Sequence, residues 1–239
     1  MSKIFITFGA GGQHYYDAGE RLLQQAKNTG VFDQCILYTD RNLKEDESFW
    51  RDHGAFIENN KRGYGYWLWK PYLIKKTMEQ CANGDMILYC DSGCEIDPNK
   101  ADLFHPFFEI AKEDKILATK AHCCIERHWN KMDLLIELGL QHNSAHLFHY
   151  DEQRQAGVSL FYVCNETRDL MNKWFTIASD HHLIDDSPSI VPNYHDFIEH
   201  RHDQSIFSLL TKQQSIFSDT QITCVEYIRN RSGTSVLDT

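Results

Sequence analysis

The 239-residue chain is 42% hydrophobic and 24% charged, ordinary proportions for a globular protein of enzyme size. Its 24 Lys and Arg stand against 34 Asp and Glu, a formal net charge of −10, which argues against nucleic acid as a partner because the phosphate backbone would be repelled by most of the surface. No run of about 18 apolar residues occurs, so no transmembrane segment is expected. Met1-Ser2-Lys3 leads straight into a strand-like segment with no apolar leader core, and the expected location is cytoplasmic, with peripheral attachment at a membrane surface as the alternative. Eight scattered cysteines form no Cys-x-x-Cys pair and read as reduced thiols.

Ile4-Phe5-Ile6-Thr7-Phe8 reads as a first strand, stopped by Gly9-Ala10-Gly11-Gly12. Helical periodicity follows from Tyr15 to Thr29, opened by the Asp17–Glu20 capping spacing and closed by Gly30. Cys35–Thr39 is a second strand ending at Asp40, so the first third of the chain carries the βαβ signature of a parallel sheet. Phe49–His53 suggests a short helix, and Ala55-Phe56-Ile57 a brief strand. Pro71 fits the first turn of a helix running to about Gln80, because its missing N–H is not needed there. Met86-Ile-Leu-Tyr-Cys90 is a compact apolar run, as a strand buried on both faces would be, and it ends in Asp91. Beyond it the pattern predicts helices at Ala101–Ala111, Lys131–Leu138, Glu166–Ala178 and Asp203–Thr211, and strands at Ile116–Thr119 and Gly157–Val163. Asp180–Glu199, with Pro188 and Pro192, reads as a long loop of the kind that tends to carry function. No repeat or linker divides the chain, so one domain over 1–239 is expected.

Candidate chemistry concentrates at the ends of these strands. In an open parallel sheet, ligands bind beyond the carboxyl ends of the strands. Asp91 is placed there, where a carboxylate can hold Mg²⁺ or Mn²⁺ whose other positions go to diphosphate oxygens and water. Ser92 can donate a hydrogen bond and Gly93 permits close approach. The plainer reading of Asp91 is a turn cap. Arg62 and Lys70 bring positive charge that suits phosphates, or form a solvated surface pair. Between them lie Tyr64, Tyr66, Trp67 and Trp69, interleaved with Gly63 and Gly65. Their rings can stack on a sugar or base, or form a core cluster. Asp203 of His200-Arg-His-Asp-Gln204 either caps the helix that follows or faces the cleft as a sugar-binding or basic carboxylate. Gln155-Ala156-Gly157 leaves room at a strand start for a ligand, or simply packs tightly. His142, His146 and His149 have helical spacing, but without a His-Glu-x-x-His pattern they make weak zinc candidates. Gly9–Gly12 is too short for a Walker loop and lacks its Lys-Ser/Thr.

Four blocks carry a resemblance: Arg62-Gly-Tyr-Gly-Tyr-Trp-Leu-Trp-Lys-Pro-Tyr72, Gly84-Asp-Met-Ile-Leu-Tyr-Cys-Asp-Ser-Gly-Cys94, Gln155-Ala-Gly-Val-Ser-Leu-Phe161 and His202-Asp-Gln-Ser-Ile-Phe207. In order and spacing they resemble nucleotide-sugar-dependent glycosyltransferases of the GT-A fold, of the bacterial and viral capsule or glycan-synthesis type. The resemblance implies an α/β fold, a GT-A-like Rossmann-type three-layer sandwich with a mostly parallel central sheet. It also implies a nucleotide-binding half over about 1–98 and an acceptor-binding half over about 99–239. Phe8 and Gly9, with Tyr38 and Asp40, would lie near the base and ribose. Asp91 would match the first carboxylate of the metal-anchoring Asp-x-Asp motif, and Asp203 and Gln204 the family's Asp-Gln pair near donor sugar or acceptor, with Asp203 as the catalytic carboxylate. Gly93 replaces the motif's second carboxylate. A metal ligand would then have to come from Glu95, Asp97, or a histidine among His195, His200 and His202, of which His202 is assigned.

The implied activity is transfer of a hexose-type sugar from a UDP- or GDP-sugar to a glycan, lipid-linked or protein acceptor, assisted by Mn²⁺ or Mg²⁺. Two rivals remain. A non-catalytic nucleotide-sugar or carbohydrate-binding module would use the aromatic cluster alone, and a metal-dependent phosphohydrolase would release phosphate without a sugar acceptor.

Overall fold

The computed structural model describes residues 1–141 and 150–237. In β1 (Lys3–Gly9) the side chains alternate between two covered faces, with Ile4, Ile6 and Phe8 in one apolar layer and Phe5 in the other. A Cβ on Gly9 would lie 2.5 Å from the Tyr15 carbonyl oxygen, so glycine lets β1 turn directly into α1 (Gln13–Asn28). The helix starts ahead of the Asp17–Glu20 spacing, with Gly12 in extended backbone as its N-cap. β2 (Gln34–Thr39) then pairs parallel with β1, which completes the expected βαβ unit.

α2 (Asp40–Lys44) leads to α3 (Glu47–Asn59), which absorbs Ala55-Phe56-Ile57, the segment expected as a strand. The cause is the longer period: Phe49, His53 and Ile57 are buried four residues apart, and Asp46 accepts a hydrogen bond from the Phe49 amide at the helix start. After a single turn, α4 (Gly63–Tyr66), comes α5 (Trp69–Glu79), with Pro71 in its first turn as expected. β3 (Met86–Cys90) is buried along its whole length.

The second half contributes β4 (Glu95–Ile96), a 3₁₀ turn over Pro98–Leu103, α6 (Phe104–Asp114), β5 (Ile116–Ile125), α7 (Glu126–Trp129), α8 (Met132–Glu137) and β6 (Glu152–Tyr162). α9 (Asn165–Ser179), α10 (His181–Ile184), α11 (His202–Gln214), β7 (Ser218–Asp219) and β8 (Val225–Glu226) follow. The helix expected at Ala101–Ala111 begins later because Asp97 caps the 3₁₀ turn, accepting from the Asn99 amide. β5 and β6 extend well past their expected apolar cores.

The main sheet has the order β2-β1-β3-β6-β5-β7, and β6 runs antiparallel to both its neighbours. β4 and β8 form a separate antiparallel pair. α1 and α6 pack on the layer holding Phe5 and Leu88, whereas α3, α5, α9 and α11 pack on the layer holding Ile6 and Tyr89. This is the three-layer, mostly parallel arrangement anticipated from the four sequence blocks. Between β3 and β6 the sheet changes from parallel to antiparallel: Cys90 faces Val158, and the Asp91 amide donates to the Gly157 carbonyl at 2.7 Å.

Candidate active site

A cavity of about 650 Å³ opens at that change of direction. Phe8 reaches it from the end of β1, Ala10 and Gly11 from the turn after it, Asp91, Ser92 and Gly93 from the turn after β3, and Ala156 and Gly157 from within β6. Asp203 and Gln204 come from the first turn of α11, Lys61–Tyr64 and Trp67 from the segment before α5, and Trp69 and Lys70 from the first turn of α5.

Lys70 is the centre of the charged cluster. Its side chain is 3% exposed, and its ammonium lies 3.2 Å from Asp91 Oδ1 and 2.8 Å from Asp203 Oδ2. The Tyr89 hydroxyl donates to the same Asp91 oxygen at 2.6 Å. Burial works to strip the proton from Lys70, but Asp203 and Asp91 outweigh it and hold the ammonium above its ordinary pKa. Burial also raises Asp203 to about 6, against the pull of Lys70 and with a further push from Asp91. The Asp203 carboxylate thus turns to Lys70, while Arg201 occupies the N-cap position of α11. Its alternative reading as a helix cap fails for that reason.

The aromatic segment has a backbone that composition did not foretell. Gly63, Tyr64, Gly65, Tyr66 and Trp67 all have φ between 52° and 84°, a single left-handed turn. Each non-glycine residue there costs about 1–2 kcal/mol. Gly63 and Gly65 are required on contact grounds too, since a Cβ would lie 2.4 Å from the Trp67 ring and 2.6 Å from Ile57 respectively. The turn lays Trp67 against His202, with ring centroids 5.4 Å apart, and leaves it half-buried on the cavity wall. Trp69 is mostly core: it stacks on Phe8 at 3.9 Å and donates its indole N–H to the Gly63 carbonyl.

Several expected site residues lie elsewhere. Tyr38 is buried with its hydroxyl on Thr77, and Asp40 holds the Tyr16 hydroxyl and Lys44, so neither reaches the cavity wall. Gly9 serves the turn into α1, and Gln155 donates to the Lys120 carbonyl because side chains alternate along β6 and Ala156 takes the inward position. Arg62 borders the cavity, but its guanidinium is bound to Asp186 at 3.0 Å and Glu199 at 3.5 Å. Gln204 lies at the wall and donates to Gln153. His142, His146 and His149 fall outside the described residues.

The residues present do not assemble a divalent-metal site of the expected kind. Asp91 Oδ1 is already engaged by Lys70 and Tyr89. Glu95 is turned toward Gln25, Asn230 and Ser235, and Asp97 caps the 3₁₀ turn. His200 bonds the Leu183 carbonyl through Nε2 and the Lys131 amide through Nδ1. His202 bonds the Ile184 carbonyl through Nδ1, and its buried Nε2 has Asp186, at 3.7 Å, as its nearest carboxylate. His195 is exposed and off the cavity wall. Among the described residues no three His, Cys, Asp or Glu side chains converge.

Sequence reasoning missed the C-terminal segment. Tyr227, Arg229 and Arg231 line the cavity, with Arg229 over the Tyr227 ring and Arg231 over the Tyr15 ring. Among the described residues neither arginine is paired with a carboxylate. The segment is fastened by Arg21, whose buried guanidinium donates to the carbonyls of Ser92, Cys94, Asn230 and Ser232, and by the Asn230 amide on the Gly93 carbonyl. The available signal was the alternation of aromatic and basic residues in Tyr227-Ile-Arg-Asn-Arg231.

No family model matches this sequence, and no curated protein matches it. Among solved structures the chain is similar to mouse xyloside xylosyltransferase 1, in its apo form, at 12% identity, covering 93% of this chain and 86% of that one with a TM-score of 0.50. A glycosyltransferase involved in glycosylating the major capsid of PBCV-1 gives 8% identity, 74% and 66% coverage and a TM-score of 0.41. The galactosyltransferase LgtC, in complex with donor and acceptor sugar analogs, gives 13%, 85% and 68%, and 0.39. The likeness to the xylosyltransferase shows a shared, GT-A-like fold.

Proposed function

We propose that this protein is a glycosyltransferase that moves a sugar from a nucleotide-diphosphate donor, bound in the cavity, to a hydroxyl of a glycan, lipid-linked or protein acceptor. The observation that carries the reading is the buried Asp91–Lys70–Asp203 cluster on the wall of a cavity of about 650 Å³, at the point where the sheet changes direction. The fold shared with a xylosyltransferase supports it.

The chemistry needs charge of both signs. As the bond between the anomeric carbon and the diphosphate oxygen breaks, positive charge develops on the sugar and negative charge on the leaving group. Asp203, raised to about 6, is ionised yet still basic near neutral pH, which suits a group that accepts the acceptor hydroxyl's proton. The acceptor oxygen bonds the anomeric carbon, its proton passes to Asp203, and the diphosphate departs with the bonding pair. Trp67 offers a half-buried aromatic face to a sugar ring, and Gly157 keeps the wall open beside Asp91.

Thermal-shift screening of UDP- and GDP-sugars, followed by nucleotide release with and without candidate acceptors, tests the proposal. Stabilisation by at least one nucleotide sugar and acceptor-stimulated release are expected. Stabilisation without release under any acceptor would instead support a binding module, and phosphate release from simple esters a phosphohydrolase.

A further inference from the structure

We propose that Lys70 takes the place of the divalent cation in this site, so that the donor diphosphate is held by the chain's own cations, Lys70 from within and Arg229 and Arg231 from the C-terminal segment. The inference rests on the reading of the cavity as a donor site and names how that donor is bound.

A metal on Asp91 would share its carboxylate with an ammonium that is itself 3% exposed and fixed at 3.2 Å. Two cations on one carboxylate repel strongly where water is excluded. Lys70 cannot swing away cheaply, because Asp203 holds it at 2.8 Å and its departure would leave a buried carboxylate unpaired. Glu95 is committed to the C-terminal segment, Asp97 to its cap and His200 to two backbone groups, and His202, whose Nε2 has no hydrogen-bond partner among the described residues, has Asp186 and not Asp91 as the carboxylate it approaches, at 3.7 Å. Gly93 stands where the motif's second carboxylate would be, and a Cβ there would come within 3.1 Å of the Arg229 backbone. The same replacement that removes a metal ligand lets the arginine-bearing segment close against the turn, where the Asn230 amide bonds the Gly93 carbonyl at 2.9 Å.

Arg229 and Arg231 are exposed, border the cavity and are free of carboxylate partners among the described residues, whereas Arg62 is already bound to Asp186 and Glu199. Planar guanidinium groups pair with phosphate oxygens through two parallel hydrogen bonds, the geometry a diphosphate without a metal requires.

The test has two independent arms. In the first, Mn²⁺ alone is titrated into the wild-type protein and into Lys70→Met, with uptake read by electron paramagnetic resonance. The wild type is expected to show no saturable site, and Lys70→Met, which leaves Asp91 and Asp203 facing each other without their cation, to gain one. Saturable Mn²⁺ uptake by the wild type at this site, lost in Asp91→Asn, overturns the proposal, and this arm decides even if Lys70→Met does not fold. In the second, UDP and GDP are added with EDTA or with Mn²⁺ and the melting temperature is followed. The nucleotide shift is expected to be equal in the two conditions and to weaken at least tenfold in apparent affinity in the Arg229→Ala/Arg231→Ala variant. A shift abolished by EDTA and restored by Mn²⁺ overturns it. If no nucleotide or nucleotide sugar binds in either condition, the reading of the cavity as a donor site fails, while the Mn²⁺ titration still decides the role of Lys70.

Discussion

At the scale of single residues, the site is governed by what Asp203 and Asp91 are allowed to do by Lys70. Asp203 has an ordinary value of 3.8 and stands at about 6 in the fold, so the folded state holds its proton more tightly than the unfolded state does. The sign follows: this group favours the fold most when protonated, and its contribution falls as pH rises from about 4 to about 6, above which its cost is constant. Activity should run the other way, because the base must be ionised. Turnover is expected to rise through about pH 6 and then level, and in Asp203→Asn to drop by roughly 10²–10⁴-fold without that rising limb. A pH profile of kcat/KM measures both, and an Asp203→Asn enzyme that keeps the limb would return the residue to a purely structural role. Gly157 offers a second check. A Cβ there would come within 2.8 Å of both Asp91 Oδ2 and the Tyr227 ring, so Gly157→Ala must displace both. Overpacking of this kind costs about 1–3 kcal/mol, and nucleotide affinity is expected to fall well beyond what the lower melting temperature accounts for. Equal affinity would place the ligand away from β6.

At the scale of elements, the most informative piece is the C-terminal segment that crosses the turn after β3. Glu95 is its anchor. Burial pushes the Glu95 carboxyl up, but hydrogen bonds from Ser235, Asn230, the Val236 amide and Gln25 outweigh burial and hold it at about 2. Because this folded value lies below the ordinary 4.5, the fastening is complete above about 4.5 and is lost as pH falls toward about 2. Hydrogen exchange of residues 227–236 is expected to quicken on acidification, and Glu95→Gln to show the fast exchange already at neutral pH. Exchange that stays slow in the variant would mean that Arg21 and the Asn230–Gly93 bond hold the segment without Glu95. The elements legible in the sequence were β1 and β3, whose runs are covered on both faces, β2, a short β-branched and aromatic run, and α9, whose buried residues recur at helical spacing. Ala55–Ile57 was misread because an apolar run of three residues carries neither period by itself. The left-handed turn at Gly63–Trp67 was visible only as an odd density of glycine and aromatics, since its handedness depends on the fit of Gly63 to Trp67 and Gly65 to Ile57.

At the scale of the whole molecule, what the sequence could locate was the edge of the sheet, and what it could not was the company each side chain keeps there. Asp91, Lys70 and Asp203 were each identifiable, but Lys70 stood only as a phosphate-binding cation or a solvated surface one, because nothing in Trp69-Lys-Pro71 tells that the first turn of α5 is packed beneath two carboxylates. Tyr38 and Asp40 were drawn to the site by analogy, yet β2 lies at the edge of the sheet, beyond β1, and their side chains are satisfied locally. The balance of charge makes the same point over a longer distance. The chain carries a formal charge of −10, whereas the cavity is lined by six lysines and arginines against three aspartates and glutamates. An anionic donor of the kind proposed would meet a basic mouth set in an acidic surface, and two fields would act on it: repulsion from the molecule at long range and attraction from the cavity at short range. Salt screens both, with a Debye length of about 8 Å at physiological ionic strength. If Arg229 and Arg231 dominate the last few ångströms, the association rate of UDP or GDP should fall as salt is raised, despite the net charge. In the Arg229→Ala/Arg231→Ala variant the slope should flatten or reverse, because the two exposed cavity cations without carboxylate partners among the described residues no longer oppose the repulsion of the acidic surface. Stopped-flow association at several ionic strengths reads the sign directly, and a wild-type rate that rises with salt would show that the field of the whole chain, not the cavity, controls how the donor arrives.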